Sequence, residues 1–85
     1  MDKLKPTVTY HTQEYGTIRV KLREALDNRG ITRNRLKTLT VVKYDVIDRY
    51  YNNGTIQMAD LDFLAKVCFV LNCNLSELLE YIPVE

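Results

Sequence analysis

Eighty-five residues with 46% hydrophobic and 27% charged content make one small, ordinary globular domain, and exclude a disordered chain or a repeat array. Twelve Lys and Arg against eleven Asp and Glu leave a net charge of +1, which as a total argues against a strongly basic nucleic-acid binder. Two cysteines, Cys68 and Cys73, are too few for a disulfide scaffold, and one histidine without a CxxC pair argues against a metal site.

The first seventeen residues form an expected N-terminal arm. Thr7 to Thr12 is β-rich and alternating, but a lone strand has no partner in a helical domain. The arm is therefore either disordered or a strand that pairs with a copy of itself. Met1 to Pro6 lacks the apolar stretch of a signal peptide, and no run approaches the length of a membrane span. A cytoplasmic location and no membrane partner follow by elimination.

Residues 18–83 have helical periodicity in five segments. The first is Ile18 to Arg29, with Ile18, Leu22, Ala25 and Leu26 on one stripe and Gly30 as its left-handed stop. The second is Arg33 to Leu39, capped by Thr32, with Leu36 and Leu39 as its apolar pair. The third is Tyr44 to Tyr51, with Val46, Ile47 and Tyr50 on one face, ending at Asn52-Asn53-Gly54. The fourth is Leu61 to Leu71 after Asp60 as N-cap. The fifth is Leu75 to Tyr81, opened by an Asn74/Glu77 capping box and ended by Pro83. The expected core is Leu22, Leu36, Leu39, Val46, Ile47, Tyr50, Leu64, Val67, Cys68, Leu71, Leu75 and Leu78.

The charge is unevenly spread. Residues 1–49 carry eleven Lys or Arg and six Asp or Glu, a net of +5, whereas residues 50–85 carry one and five, a net of −4. Arg33, Arg35, Lys37 and Lys43 fall close together with no acid between them. Such a cluster is either a solvated face or a binding face. Here it lies on two short helices joined by about four residues, which form a helix-turn-helix whose second helix fits a major groove about 12 Å wide.

The segment Gly30 to Asn52 resembles the Cro/cI-type (Xre-like) helix-turn-helix family. The resemblance rests on Ile31-Thr32 before the second helix, Leu36 and Leu39 inside it, and Val42 in the turn. It continues with Val46-Ile47, Leu64 through Leu71, and Leu75-Ser76-Glu77-Leu78-Leu79. Together with the ending Leu-Leu-Glu-Tyr-Ile-Pro, the chain looks like the compact bacterial and phage subgroup found in Firmicutes. The resemblance covers residues 15 to 83, with the motif at about 32–52. It implies an all-α, compact five-helix, lambda-repressor-like DNA-binding domain. Two positions depart from the pattern: Lys37 stands where Ala is usual and Val41 where Gly is usual. Because Val disfavours positive φ, a rearranged turn is expected.

The resemblance places Lys43, Tyr44, Asp45, Asp48 and Arg49 toward a groove, with Arg33, Arg35, Lys43 and Asn52 against phosphates. Local readings stand beside these roles. Tyr44 contacts DNA or is a half-exposed aromatic. Arg49 reaches guanine or phosphate, or pairs with Asp45 four residues earlier. Asp45 and Asp48 select bases or weaken DNA binding, and Asp45 also complements the helix dipole. Asn52 contacts phosphate or ends the helix, and Arg19, Lys21 and Arg23 point to solvent, with a DNA role as the alternative.

The function implied is a sequence-specific DNA-binding transcriptional regulator, a repressor, acting as a homodimer on double-stranded DNA without a cofactor or small-molecule substrate. Half-sites would lie about 34 Å apart, and Thr7 to Thr12 and Tyr81-Ile82 are the candidate dimer surfaces. The alternative is a protein-interaction module, antitoxin-like or a phage inhibitor, that keeps the fold without strong DNA readout. An enzyme has least support, because no clustered His, Cys and carboxylate set and no Gly-rich phosphate loop is present.

Overall fold

The structure is a computed structural model that describes residues 15–52, 56 and 58–84. In chain order it contains β1 (Thr17–Val20), α1 (Leu22–Arg29), α2 (Arg33–Thr40), α3 (Tyr44–Tyr51), α4 (Leu61–Leu71), a single 3-10 turn (Leu75–Glu77) and β2 (Leu79–Ile82). The fold is mostly helical, with four α-helices and one two-stranded sheet among the described residues. None of these helices is long and apolar enough to cross a membrane. The segment Thr7 to Thr12 lies outside the described residues.

The two ends of the expected five-helix array are corrected. Ile18 and Val20 are β-branched and alternate with polar neighbours, and this stretch is a strand, not the first turn of a helix. It pairs antiparallel with β2, with Thr17 opposite Ile82, Ile18 opposite Tyr81, Arg19 opposite Glu80 and Val20 opposite Leu79. The Lys21 N–H donates to the Leu78 carbonyl at 2.7 Å, and the helix begins at the next residue. The expected fifth helix is likewise one 3-10 turn followed by β2. The Asn74 side chain makes no cap bond. The Asn74 carbonyl instead accepts from the Glu77 N–H at 3.0 Å, which tightens the turn. Tyr81 and Ile82 are thus engaged in the sheet, with their side chains exposed.

The middle of the chain follows its local signals. Gly30 closes α1 with φ +63, a left-handed conformation that glycine adopts without a Cβ penalty. The Thr32 hydroxyl accepts from the Arg35 N–H at 3.1 Å. Asp60 accepts from the N–H groups of Asp62 and Phe63 at 2.9 and 3.4 Å, satisfying donors that a helix start leaves open.

The core gathers Leu22, Ala25 and Leu26 of α1, Leu36 of α2, Ile47 and Tyr50 of α3, and Phe63, Leu64, Val67 and Leu71 of α4. Val20 and Leu78 close it at the sheet end. Phe63 was not among the expected core residues; its ring stacks on Tyr50 with centroids 4.5 Å apart. The Tyr50 hydroxyl accepts from the Asp60 N–H at 2.9 Å, so the buried phenol satisfies its polar end. Leu39 and Leu75 depart the other way, at 38% and 49% exposed. Thr40 takes the inward position expected of Leu39, because its hydroxyl donates to the Leu36 carbonyl at 2.7 Å and is buried with a partner. Val46 and Cys68 are half-buried against the core.

Candidate nucleic-acid interface

The joint between α2 and α3 is three residues long, Val41 to Lys43. Val41 adopts φ +56 and ψ +38, and its N–H donates to the Lys37 carbonyl at 2.9 Å. This is the left-handed turn that the family's glycine would make, so the expected rearrangement does not occur. Instead Val41 takes an unfavourable backbone conformation with its side chain 88% exposed. Val42 packs on the core and Lys43 is extended, which starts α3 at Tyr44.

Ile47 and Tyr50 bury one side of α3, and Val46 packs beside them. That spacing turns Tyr44, Asp45 and Arg49 outward, with Lys43 and Asn52 exposed at either end of the helix. Arg35 is exposed in the first turn of α2. Asp45, in the first turn of α3, faces the positive end of the helix dipole. The Asn52 N–H donates to the Asp48 carbonyl at 2.9 Å, and its backbone remains right-handed.

Arg33 and Asp48 form an ion pair that joins the start of α2 to the middle of α3. The Arg33 guanidinium also lies 4.4 Å from the Tyr51 ring centroid and 5.6 Å from that of Tyr44. Arg23 of α1 sits 4.9 Å from the Tyr51 centroid. The Tyr51 hydroxyl beside it raises the already high guanidinium pKa, so the charge is permanent. Three helices therefore converge on two arginines, two tyrosines and one carboxylate. A hollow of about 520 Å³, lined in part by Asp27, Thr32, Arg33 and Tyr51, opens beside them.

This arrangement separates the expected site residues into two groups. Arg33, Tyr44 and Asp48 are brought together. Arg35, Lys43, Asp45, Arg49 and Asn52 stand apart on the exposed surface. The Asp45–Arg49 ion pair suggested by their spacing is not among the ion pairs of the described residues; Arg49 instead lies 5.6 Å from the Tyr50 centroid. Sequence reading missed the participation of Arg23 and Tyr51. The only sequence signal was Tyr51 at four-residue spacing from Ile47, which also fits a core position.

Residues 21–84 match the family of Cro/C1-type HTH DNA-binding domains. Among solved structures, the chain is similar to a Bacteroides fragilis protein described as DNA-binding, with a TM-score of 0.65 and 22% identity. That match covers 75% of this chain and 100% of the other. It is also similar to the transcriptional regulator VanUg, with a TM-score of 0.64 and 21% identity over 89% of this chain and 97% of the other. At these identities the two structures support the fold. No curated protein matches the chain. With α2 and α3 joined by a tight left-handed turn and the family match spanning both helices and the rest of the domain, the chain belongs to the Cro/C1-type HTH DNA-binding domain family.

Proposed function

We propose that this domain is a cytoplasmic transcription regulator that reads a specific duplex sequence with α3 in the major groove. The observation that carries this reading is the outward face of α3, where Tyr44, Asp45 and Arg49 are exposed between Lys43 and Asn52. Arg49 is the candidate for a guanine edge and Tyr44 for a thymine methyl or a phosphate. Arg35, Lys43 and Asn52 are the free phosphate candidates. Arg33 reaches phosphate only by sharing its charge with Asp48.

Repression is the favoured outcome, since occupying a promoter requires nothing beyond the bound domain. One helix reads few base pairs, so a homodimer on a palindromic site supplies the specificity. The ending Leu-Leu-Glu-Tyr-Ile-Pro favours the compact bacterial and phage subgroup. Sequences selected from a random duplex pool at stated salt test the reading. Lys43→Glu should weaken binding to every duplex. If wild type binds selected and random duplexes no better than Lys43→Glu does, the reading is wrong.

Asp45 supports a second reading, a protein-interaction module. It is an exposed carboxylate in the middle of the proposed reading face, without an ion-pair partner among the described residues. Absence of duplex binding at low as well as high salt, with a stable protein partner, would favour this second reading.

A further inference from the structure

Helix α4 is apolar on both sides. Phe63, Leu64, Val67 and Leu71 fill the core, while Leu61, Ala65 and Phe69 form a second stripe on the outer face. Leu61 is 76% and Phe69 85% exposed. Large apolar side chains grouped on an exposed helix face mark an interaction surface. Leu39 and Thr40 of α2, with Ala65, Lys66, Phe69 and Val70, line a hollow of about 290 Å³ beside the stripe.

We propose that this face is covered by a second copy of the chain, with α4 packed antiparallel on α4 of the partner about a twofold axis at Ala65. The inference deepens the homodimer named above and rests on that reading. The stripe is self-complementary. Leu61 and Phe69 lie four residues either side of Ala65, so a twofold there sets each Leu61 against Phe69 of the partner subunit. Small Ala65 lets the two axes approach at the centre.

The charges agree with that direction. Asp62 and Lys66 lie together on one flank of the stripe, 3.3 Å apart. A twofold between antiparallel helices brings matching flanks together in reversed order. Asp62 then faces Lys66 of the partner subunit, twice, whereas a parallel pairing would bring opposite flanks together and make no such contact.

Large side chains bring roughly 150 Å² each. Leu61, Phe69 and the exposed part of Leu39 then supply on the order of 400 Å² per protomer, against about 800 Å² in a standard interface. The dimer is therefore weak alone and is completed by a palindromic duplex that holds both copies.

Sedimentation equilibrium of the full chain without DNA tests this. The average mass should rise from monomer toward dimer between about 10 µM and 1 mM protein. Phe69→Lys should remain monomeric with an unchanged helical spectrum and melting temperature, because Phe69 is outside the core. Asp62→Lys should weaken self-association about tenfold, and the swap Asp62→Lys with Lys66→Asp should restore it to within about threefold. A wild-type monomer at every concentration overturns the inference, whether residues 1–14 or another protein covers the stripe. A Phe69→Lys dimer or an unrescued swap overturns it too. A monomer that still binds a half-site removes this interface and leaves the DNA reading intact; a dimer that binds no duplex does the reverse.

Discussion

Asp48 on α3 holds Arg33 at the start of α2, and the paired guanidinium lies 4.4 Å from the Tyr51 ring centroid. The pair changes the meaning of both residues. Asp48 is not a bare carboxylate facing phosphates, and Arg33 is not a free cation. Of the two acids on α3, only Asp45 lacks an ion-pair partner among the described residues.

Replacing Asp48 with Asn should therefore strengthen binding to duplexes of any sequence. It removes one negative charge and frees Arg33 for a phosphate, steepening the log–log salt slope by about 0.9. The cost in stability should stay below about 1 kcal/mol, because both partners are substantially exposed. Titrations at several salt concentrations read both effects. Weaker binding by Asp48→Asn at all salts would mean that the pair orients Arg33 for its contact.

Val41 stores backbone strain at an exposed position. A β-branched residue at φ +56 is held there by the helices on either side. Val41→Gly should raise unfolding free energy by on the order of 1 kcal/mol, even after the entropy cost of glycine. Urea denaturation measures it, and a fall in stability would contradict the assignment.

Gly16 is required for the opposite reason, close approach. A Cβ there would meet the Ile82 carbonyl oxygen at 1.7 Å and the Pro83 Cα at 2.8 Å. Backbone atoms cannot swing aside. Gly16→Ala should destabilise by more than about 2 kcal/mol and speed amide exchange in β1. Unchanged exchange across Thr17–Val20 would show that the ends tolerate the separation.

Acid sensitivity should be partly traceable to Glu77. The hydrogen bond from Arg29 holds its carboxyl below the ordinary value of 4.5, with burial opposing. The folded value lies below the unfolded one, so the stabilisation is present above about pH 4.5 and is lost as pH falls through the folded value. Glu24, held down by Arg19, behaves the same way. Glu77→Gln should therefore melt below wild type near neutral pH, and that difference should shrink toward about pH 3. A constant difference would assign the effect to packing.

Helices α2, α3 and α4, and the end of α1, were legible because their signals are local: Thr32 and Asp60 as caps, Gly30 as the stop of α1, and an apolar period through Ile47 and Tyr50. The strands were not. Ile18 and Leu22 fit a helical stripe, while Ile18 and Val20 fit an alternating strand, and the partner strand that decides between them, Leu79–Ile82, lies at the other end of the chain. The same limit hid the Arg33–Asp48 pair. Asp45 and Arg49 had the right spacing on one helix, but α2 and α3 meet so that Asp48 is the carboxylate Arg33 reaches. Leu39 misled because hydrophobicity ranks it above Thr40, yet Thr40 carries its own acceptor one turn back.

The pairing of Thr17 with Ile82 brings the chain into and out of the fold at one corner. Tension applied between these two points would open the ladder one rung at a time, like a zipper, instead of shearing its four pairs together. The domain should thus yield at low force, which a pulling measurement reads directly. Passengers fused before β1 and after β2 would emerge side by side.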